Sequence, residues 1–226
     1  MLTKGSESFI GTHTIALRHG MTLGEMAKLL HSELGMKGRL DVVAMKGWQR
    51  GDWFDATSLS WVDPSPNMRS LNAALLYPGV GMLESAKNYS VGRGTDAPFE
   101  QVGAAFIDGP KLAAYLNGRR IPGVRVYATR FTPRESNLKG QLISGVRFVI
   151  TDREAFGSAR LGLELAAAIH KLFPGKMDIG INKGLIANPA TIRMILAGED
   201  PRVIQDQQAD ELAGFAARRA KFLIYK

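Results

Sequence analysis

The chain has 226 residues, of which 45% are apolar and 22% are charged, as in an ordinary globular protein with a sizeable core. It contains no cysteine, which excludes a disulfide scaffold, a cysteine nucleophile and thiolate-bound zinc or iron–sulfur centres. Lys and Arg total 29 against 21 Asp and Glu, so the formal net charge of +8 favours anionic partners such as nucleic acid, a membrane surface or an acidic wall polymer.

The N-terminal residues show neither of the two apolar patterns that mark membrane targeting. The first eight residues, MLTKGSES, lack the apolar centre of a signal peptide. No stretch of the chain approaches the roughly 20 apolar residues of a membrane span. We therefore expect no membrane-spanning segment.

The first predicted element is a helix that begins at Thr22. Thr22 and Glu25 have the spacing of a capping box, apolar residues follow at helical spacing to Leu34, and Gly35 provides a stop. Leu40–Met45, with Val42 and Val43 at its centre, is predicted to form a short buried strand.

Residues 46–109 are rich in Gly, Pro, Asn and Asp and show little periodicity apart from a short helix near Arg69–Leu76. The three tryptophans Trp48, Trp53 and Trp61 lie in this stretch, which argues against disorder. Long irregular segments in folded domains usually carry function, so we interpret the stretch as an ordered loop region that bears the site.

The second half of the chain shows regular elements again. The predicted strands are Val124–Phe131 and Leu142–Thr151, and the predicted helices are Pro110–Asn117, Glu154–Phe173, Asn188–Leu196 and Ala209–Phe222. Strands and helices alternate without strict βαβ repetition. The sequence therefore predicts an α+β single domain, with a mixed sheet, packed helices and the long ordered loop region.

Two clusters in the first 50 residues are candidates for ligand contact. Arg18 and His19 precede the first helix, where a cation and an imidazole suit an anion or a sugar carboxylate. The alternative is a loop arginine beside a hydrogen-bonded histidine. Trp48 offers a flat apolar face for a sugar ring, or it packs in the core.

A third cluster runs from Glu84 to Phe99. Glycines on both sides of Arg93 allow the backbone to approach a ligand closely while the guanidinium binds a carboxylate or phosphate. Glu84 either acts in such a site or orients the arginine, and the alternative is a tight turn with an exposed arginine. Glycoside hydrolysis needs paired carboxyl groups, and the sequence alone does not pair them. The histidines lack metal-ligand spacing, so no metal and no cofactor are expected.

The order of these motifs along the chain is that of a known family. They are Arg18-His19-Gly20-Met21-Thr22, Gly47-Trp48, Trp61-Val62 with Pro64-Ser65-Pro66-Asn67, Tyr77-Pro78-Gly79, Gly92-Arg93-Gly94-Thr95 with Pro98-Phe99-Glu100, and Phe131-Thr132-Pro133. The chain resembles the exo-β-N-acetylmuramidases of peptidoglycan recycling, the NamZ-like proteins. The likeness continues to Tyr225 and covers essentially the whole chain.

The resemblance implies a domain assignment. Family members are longer and carry an N-terminal Rossmann-like domain, so residues 1–226 are expected to be the C-terminal domain with that Rossmann-like domain absent. The family's site lies in a cleft between the two parts, and its proposed catalytic residues lie in the N-terminal one. The missing domain is therefore an expected partner. Family members are commonly exported to the periplasm or the cell exterior.

The resemblance also implies a substrate and its contacts. The substrate is a glycan or muropeptide with a terminal N-acetylmuramic acid (MurNAc). Ligand-contact roles carry over to residues that match the family's motifs: Arg18, His19, Trp48, Asn67, Glu84, Asn88 and Arg93. Arg93 or Arg18 is expected to pair with the lactyl carboxylate.

Two functions other than a muramidase domain are considered, one suggested by the resemblance and one by the net charge. Without the catalytic part, the chain is instead a non-catalytic peptidoglycan-binding module, and the two readings differ in whether an acid and a base both lie in its cleft. Nucleic-acid binding is not expected, because the basic residues are scattered and the densest group is only Arg218–Lys221.

Overall fold

A computed structural model describes residues 1–225 and contains, within them, eight α-helices and one three-stranded sheet. The helices are α1 (Leu23–Glu33), α2 (Leu71–Val80), α3 (Gly109–Gly118), α4 (Ser158–Leu172), α5 (Lys183–Ile186), α6 (Pro189–Leu196), α7 (Pro201–Asp206) and α8 (Ala209–Ala220). The strands are β1 (Gln101–Ala104), β2 (Val124–Phe131) and β3 (Ile143–Ile150). Short 3₁₀ turns occur at Phe54–Ala56, Gly81–Leu83 and Ile179–Asn182.

The α+β class is confirmed, but the sheet is antiparallel rather than mixed. The strand order is β1-β3-β2, and β3 pairs antiparallel with both neighbours. Strands β1 and β2 therefore run in the same direction and are connected through α3, like the two strands of a βαβ crossover unit. They do not pair, because β3 lies between them and contacts both.

Local capping signals explain where the helices begin. Thr22 and Glu25 form the predicted capping box of α1, with the Glu25 carboxylate accepting the Thr22 N–H at 2.8 Å. Asn188 caps α6 and Pro189 follows at its first position. Helix α4 begins at Ser158 rather than at Glu154. The Asp152 side chain accepts the backbone N–H groups of Glu154 and Ala155 and holds a turn there.

The main core lies between the sheet and three helices: α3 packs on β2 and β3, and α4 packs on α3 and α2. Leu161, Leu165 and Ile169 of α4 are fully buried in it. At its edge, the buried carboxylate of Glu164 accepts hydrogen bonds from Arg119 and Arg160, and Arg119 also binds Asp200 at 2.7 Å. This ion-pair network joins α3, α4 and the start of α7.

The strand predicted at Leu40–Met45 is absent, and this segment is irregular and largely exposed. The side chain of Val43 is 95% exposed. Two adjacent β-branched residues favour extended backbone, but a strand also needs a partner strand. Here the backbone of Met45 donates to the hydroxyl oxygen of Tyr225 in the C-terminal tail instead.

Among the described residues, no helix combines the length and the apolar character that crossing a bilayer requires.

Candidate functional site

A cleft of about 440 Å³ brings together three of the residues predicted to contact a ligand. Arg18, His19 and Trp48 line it, together with Arg50 and with Leu75 and Pro78 of α2. One wall is thus the turn before α1, and the opposite wall is α2.

A more apolar pocket of about 410 Å³ adjoins the cleft and shares Leu17, His19 and Pro78 with it. It extends beneath Tyr77 towards α4. The cleft and the pocket together form one two-lobed cavity.

His19 is held in a defined orientation at the boundary between the lobes. Its Nδ1 accepts the backbone N–H of Met21 at 3.2 Å, so a neutral ring carries its proton on Nε2. Burial lowers the pKa of His19, and the nearby Arg219 charge lowers it further. The imidazole is therefore neutral at pH 7 and offers one N–H donor.

The turn that carries His19 is fixed from the C-terminal end of the chain. The Arg219 Nη1 group donates to the carbonyl oxygens of His19 and Gly20 at 2.7 and 3.2 Å. Gly20 has φ +60°, and a Cβ there would collide with the Arg219 guanidinium. Glycine is therefore needed at position 20 for both the turn and the contact.

Trp48 is half-buried and packs edge-on against Tyr225, with ring centroids 4.8 Å apart. It is therefore neither a core tryptophan nor a free surface ring. Trp53 and Trp61 donate their indole N–H groups to Glu154 and to the Met68 carbonyl, respectively, and do not line the cleft. Of the three tryptophans, only Trp48 is thus positioned to contact a ligand in it.

Arg50, which lines the cleft and is partly exposed, forms an ion pair with the fully buried carboxylate of Glu25. Arg50 also donates to the carbonyl oxygens of Gly20 at 2.9 Å and Tyr225 at 3.3 Å. Burial alone would raise the pKa of Glu25, but the Thr22 and Ile224 backbone N–H groups and Arg50 outweigh it and lower the pKa to about 2. The pair thus joins α1, the Trp48 loop and the C-terminal tail.

Sequence reasoning found only the capping role of Glu25. Its three further partners, Arg50, Ile224 and Tyr225, lie 25, 199 and 200 residues away. Contacts so distant along the chain cannot be predicted from local sequence spacing.

Glu84 and Arg93 form an ion pair on the other side of Tyr77. The Arg93 guanidinium carbon lies 4.9 Å from the ring centroid of Phe99, and Phe99 packs edge-on against Tyr77 at 4.7 Å. Neither charged residue lines the two-lobed cavity, but Tyr77, which does, connects them to it.

Asn67 and Asn88 lie apart from both groups. Asn88 is exposed and donates to the Lys176 carbonyl at 2.7 Å. Asn67 is 8% exposed, and its Oδ1 atom has no partner among the described residues. The ligand contacts expected of all seven residues stay predictions.

The residues that line the two lobes in the described chain include no Asp or Glu. Across residues 1–225, no group of three His, Asp or Glu side chains is arranged to hold a metal ion. Recognition of a ligand in this cavity therefore relies on cations, neutral donors and aromatic faces.

Two family sequence models match the chain. The model described as exo-β-N-acetylmuramidase NamZ, N-terminal, matches residues 1–72, and the C-terminal one matches residues 75–225. The junction between the matched ranges falls within α2. One wall of the cleft therefore comes from the first range, and Leu75 and Pro78 of the other wall come from the second.

The chain is similar to the peptidoglycan β-N-acetylmuramidase NamZ of Bacillus subtilis (strain 168), with 39% identity over 221 residues. The match covers 96% of this chain and 53% of the relative, so the chain spans about half the relative's length. Two DUF1343 family proteins of Bacteroides fragilis NCTC 9343, at 24% and 23% identity, share the fold with TM-scores of 0.79 and 0.77. Those matches cover 100% of this chain and 61% of each structure. The chain belongs to the family of the exo-β-N-acetylmuramidase NamZ.

Proposed function

We propose that this chain forms the substrate-binding part of an exo-β-N-acetylmuramidase that acts on terminal MurNAc residues of peptidoglycan fragments. The observation that carries the proposal is the cleft lined by Arg18, His19 and Trp48. MurNAc presents a carboxylate, polar hydroxyl and acetamido groups, and an apolar ring face. The cleft offers a cation, a neutral N–H donor and an aromatic face, one for each.

The carboxylate supplies the sharpest discrimination between sugars. A charge-assisted contact from Arg18 or Arg93 contributes about 1.5–3 kcal/mol, and N-acetylglucosamine (GlcNAc), which lacks the lactyl group, cannot make it. Trp48 stacks on the sugar ring, and Asn67 or Asn88 binds its acetamido or hydroxyl groups. These assignments predict a preference for muramyl over glucosaminyl sugars.

Hydrolysis requires two carboxyl groups across the scissile bond, and the carboxylates near the cavity are otherwise engaged. Glu25 is buried against Arg50 with a pKa of about 2, so it cannot serve as an acid at neutral pH. Glu84 is paired with Arg93. We propose that the catalytic carboxyl groups belong to the remainder of the N-terminal domain.

The same observation favours a second candidate function for the chain by itself. A cavity with recognition groups and no paired carboxyl groups would bind a muropeptide without cleaving it. The chain would then be a peptidoglycan-binding module.

The range 1–72 exposes large apolar side chains that suit a domain contact. Phe9, Leu23, Val43 and Val62 are 101%, 88%, 95% and 80% exposed, and all lie in the range that matches the N-terminal family model. We propose that the rest of that domain covers these side chains, and that residues 1–226 form the C-terminal part of the family protein with a segment of the N-terminal part attached.

Calorimetric titration with MurNAc and GlcNAc tests the binding proposal. We expect MurNAc to bind more tightly, and Trp48→Ala to weaken both sugars, because both present a ring face. Trp53→Ala is the matched control, since Trp53 lies outside the cleft. Equal affinity for the two sugars in the unmodified chain would contradict the proposal.

Release of MurNAc from a MurNAc–GlcNAc disaccharide separates the two candidate functions. We expect no turnover by the chain alone and turnover after addition of the N-terminal half of the Bacillus subtilis relative. Turnover by the chain alone would place both carboxyl groups within it. Binding that never leads to turnover would support the module.

A further inference from the structure

The loop Val91–Phe99 is closed on itself and holds Arg93 at its surface. The Phe99 N–H donates to the Val91 carbonyl at 2.7 Å, and the Thr95 hydroxyl donates to the Gly92 carbonyl at 2.6 Å. Phe99 has φ +61° although it is 1% exposed, and such strain persists only where the surroundings enforce it. Hydrogen bonds within the loop and the packing around Phe99 therefore both constrain its backbone.

Both glycines beside Arg93 are required by this conformation. Gly92 and Gly94 have φ +79° and +73°. A Cβ at Gly92 would lie 2.7 Å from the Ala97 carbonyl oxygen, and a Cβ at Gly94 would lie 2.5 Å from the Glu135 nitrogen. The Gly-Arg-Gly motif is thus a packed structural unit, and Arg93 is its partly exposed side chain.

Two contacts fix the Arg93 guanidinium, one to the Nε edge of the group and one to its face. Its Nε donates to Glu84, and its guanidinium carbon lies over the Phe99 ring, 4.9 Å from the centroid. Within residues 1–225 its two terminal nitrogens make no hydrogen bond, and 30% of the side chain is exposed. Two parallel N–H donors held in one plane match the two oxygens of a carboxylate.

We propose that Glu84 and Phe99 are positioning residues that hold the Arg93 fork for the carboxylate of the ligand, beside the lobe that Tyr77 lines. The inference rests on the proposed function, whose substrate carries a lactyl carboxylate. It favours Arg93 over Arg18 for an end-on pair with a carboxylate. Arg18 donates one terminal nitrogen to the Phe156 carbonyl at 3.0 Å, whereas both terminal nitrogens of Arg93 are without a hydrogen bond among residues 1–225.

The charge of Glu84 and its hydrogen bond to Arg93 have opposite effects on the binding of an anion. The Glu84 charge opposes an incoming anion, whereas its hydrogen bond to Nε keeps the fork aligned. Glu84→Ala loses the alignment. Glu84→Gln keeps an acceptor oxygen for Nε and removes the opposing charge, so it should restore or exceed the original affinity for MurNAc.

The test is calorimetric titration of the full chain and its variants with MurNAc and with GlcNAc. We expect Arg93→Ala to weaken MurNAc binding roughly 10- to 100-fold and to leave GlcNAc binding unchanged. Arg93→Lys keeps the charge without the fork, so most of the loss should remain. Arg130→Ala is the matched control, because Arg130 is exposed and has no side-chain hydrogen bond among the described residues.

Three results separate the possible failures. If the unmodified chain prefers MurNAc and Arg93→Ala keeps that preference, this inference fails and the proposed function stands. If the unmodified chain shows no preference, both fail. If Glu84→Ala weakens both sugars equally and Glu84→Gln does not restore MurNAc binding, Glu84 is merely structural and the positioning role is overturned. Should Arg93→Ala not fold, Arg93→Lys decides the question, since it retains a cation for Glu84.

Discussion

Glu25 is the buried carboxylate that joins α1, the cleft and the C-terminal tail, and Glu25→Gln tests how strongly this junction stabilises the protein. The side chain has no exposed surface and accepts from the Thr22 and Ile224 backbone N–H groups, each at 2.8 Å, and from Arg50. Glutamine keeps the size and one acceptor oxygen, and it suits a capping box. It removes the charge that faces Arg50.

Two estimates of the loss agree. A fall in the pKa of Glu25 from 4.5 to about 2 corresponds to about 3 kcal/mol of folding free energy. Removing one partner of a fully buried ion pair typically costs about 3–5 kcal/mol. Arg50 is 25% exposed and keeps the Gly20 and Tyr225 carbonyl acceptors, so the loss here lies at the lower end of that range. We therefore expect Glu25→Gln to lower the free energy of unfolding by about 3 kcal/mol at neutral pH.

The pH dependence carries a definite sign. The folded-state pKa of Glu25 lies below its unfolded value, so its stabilisation is complete above about pH 4.5 and declines as the pH falls towards about 2. By about pH 3.5 the protein should have lost about 1.4 kcal/mol of this contribution. The difference between the original protein and Glu25→Gln should narrow by that amount, because other carboxylates titrate in both.

Urea denaturation near pH 7 and near pH 3.5 measures both quantities. Glu199→Gln is the matched control, because Glu199 is exposed and its side chain makes no hydrogen bond among the described residues. A loss below about 1 kcal/mol at pH 7, or a difference that is the same at both pH values, would refute the electrostatic argument.

Three further predictions follow from other contacts. Tyr225→Leu removes the aromatic contact with Trp48, which is worth about 0.5–1.5 kcal/mol. Calorimetry should show MurNAc binding weakened several-fold, and circular dichroism should show an unchanged content of secondary structure. Arg119→Ala leaves the buried carboxylate of Glu164 with only its Arg160 partner and should lower the free energy of unfolding by about 1.5–3 kcal/mol, and a urea midpoint equal to that of the unmodified chain would contradict this. Val43→Asp should leave the thermal midpoint of this chain unchanged, because the side chain is 95% exposed, and should abolish co-purification with the N-terminal half of the relative.

Elements with strong local signals were predictable from the sequence. The capping box at Thr22, the Asn188-Pro189 start of α6 and the apolar spacing of α4 each depend on neighbours within a few residues. Strand β1 was missed because it has only four residues, all buried, in a stretch without periodicity. The strand predicted at Leu40–Met45 failed for the opposite reason, since its local propensity finds no partner strand.

The candidate site divides in the same way. The Arg18–His19 turn and Trp48 were predictable because a glycine turn and a helix start mark the first, and a loop tryptophan marks the second. Arg50, Arg219 and Tyr225 were not, since each acts through contacts at least 25 residues away along the chain. The sequence indicated which side chains suit a ligand, whereas folding determines what holds them.

The junction between the two family-model matches is not a division of this fold. Helix α2 runs through it, from Leu71 to Val80, and supplies a wall of the cleft. A second, smaller core joins Met21 and Leu29 of the first range to Phe215 of α8 in the second. The Glu25–Arg50 pair adds the C-terminal tail to the same junction. Because the residues that hold His19 and Trp48 come from both ranges, the cleft itself requires both ranges in one folded unit.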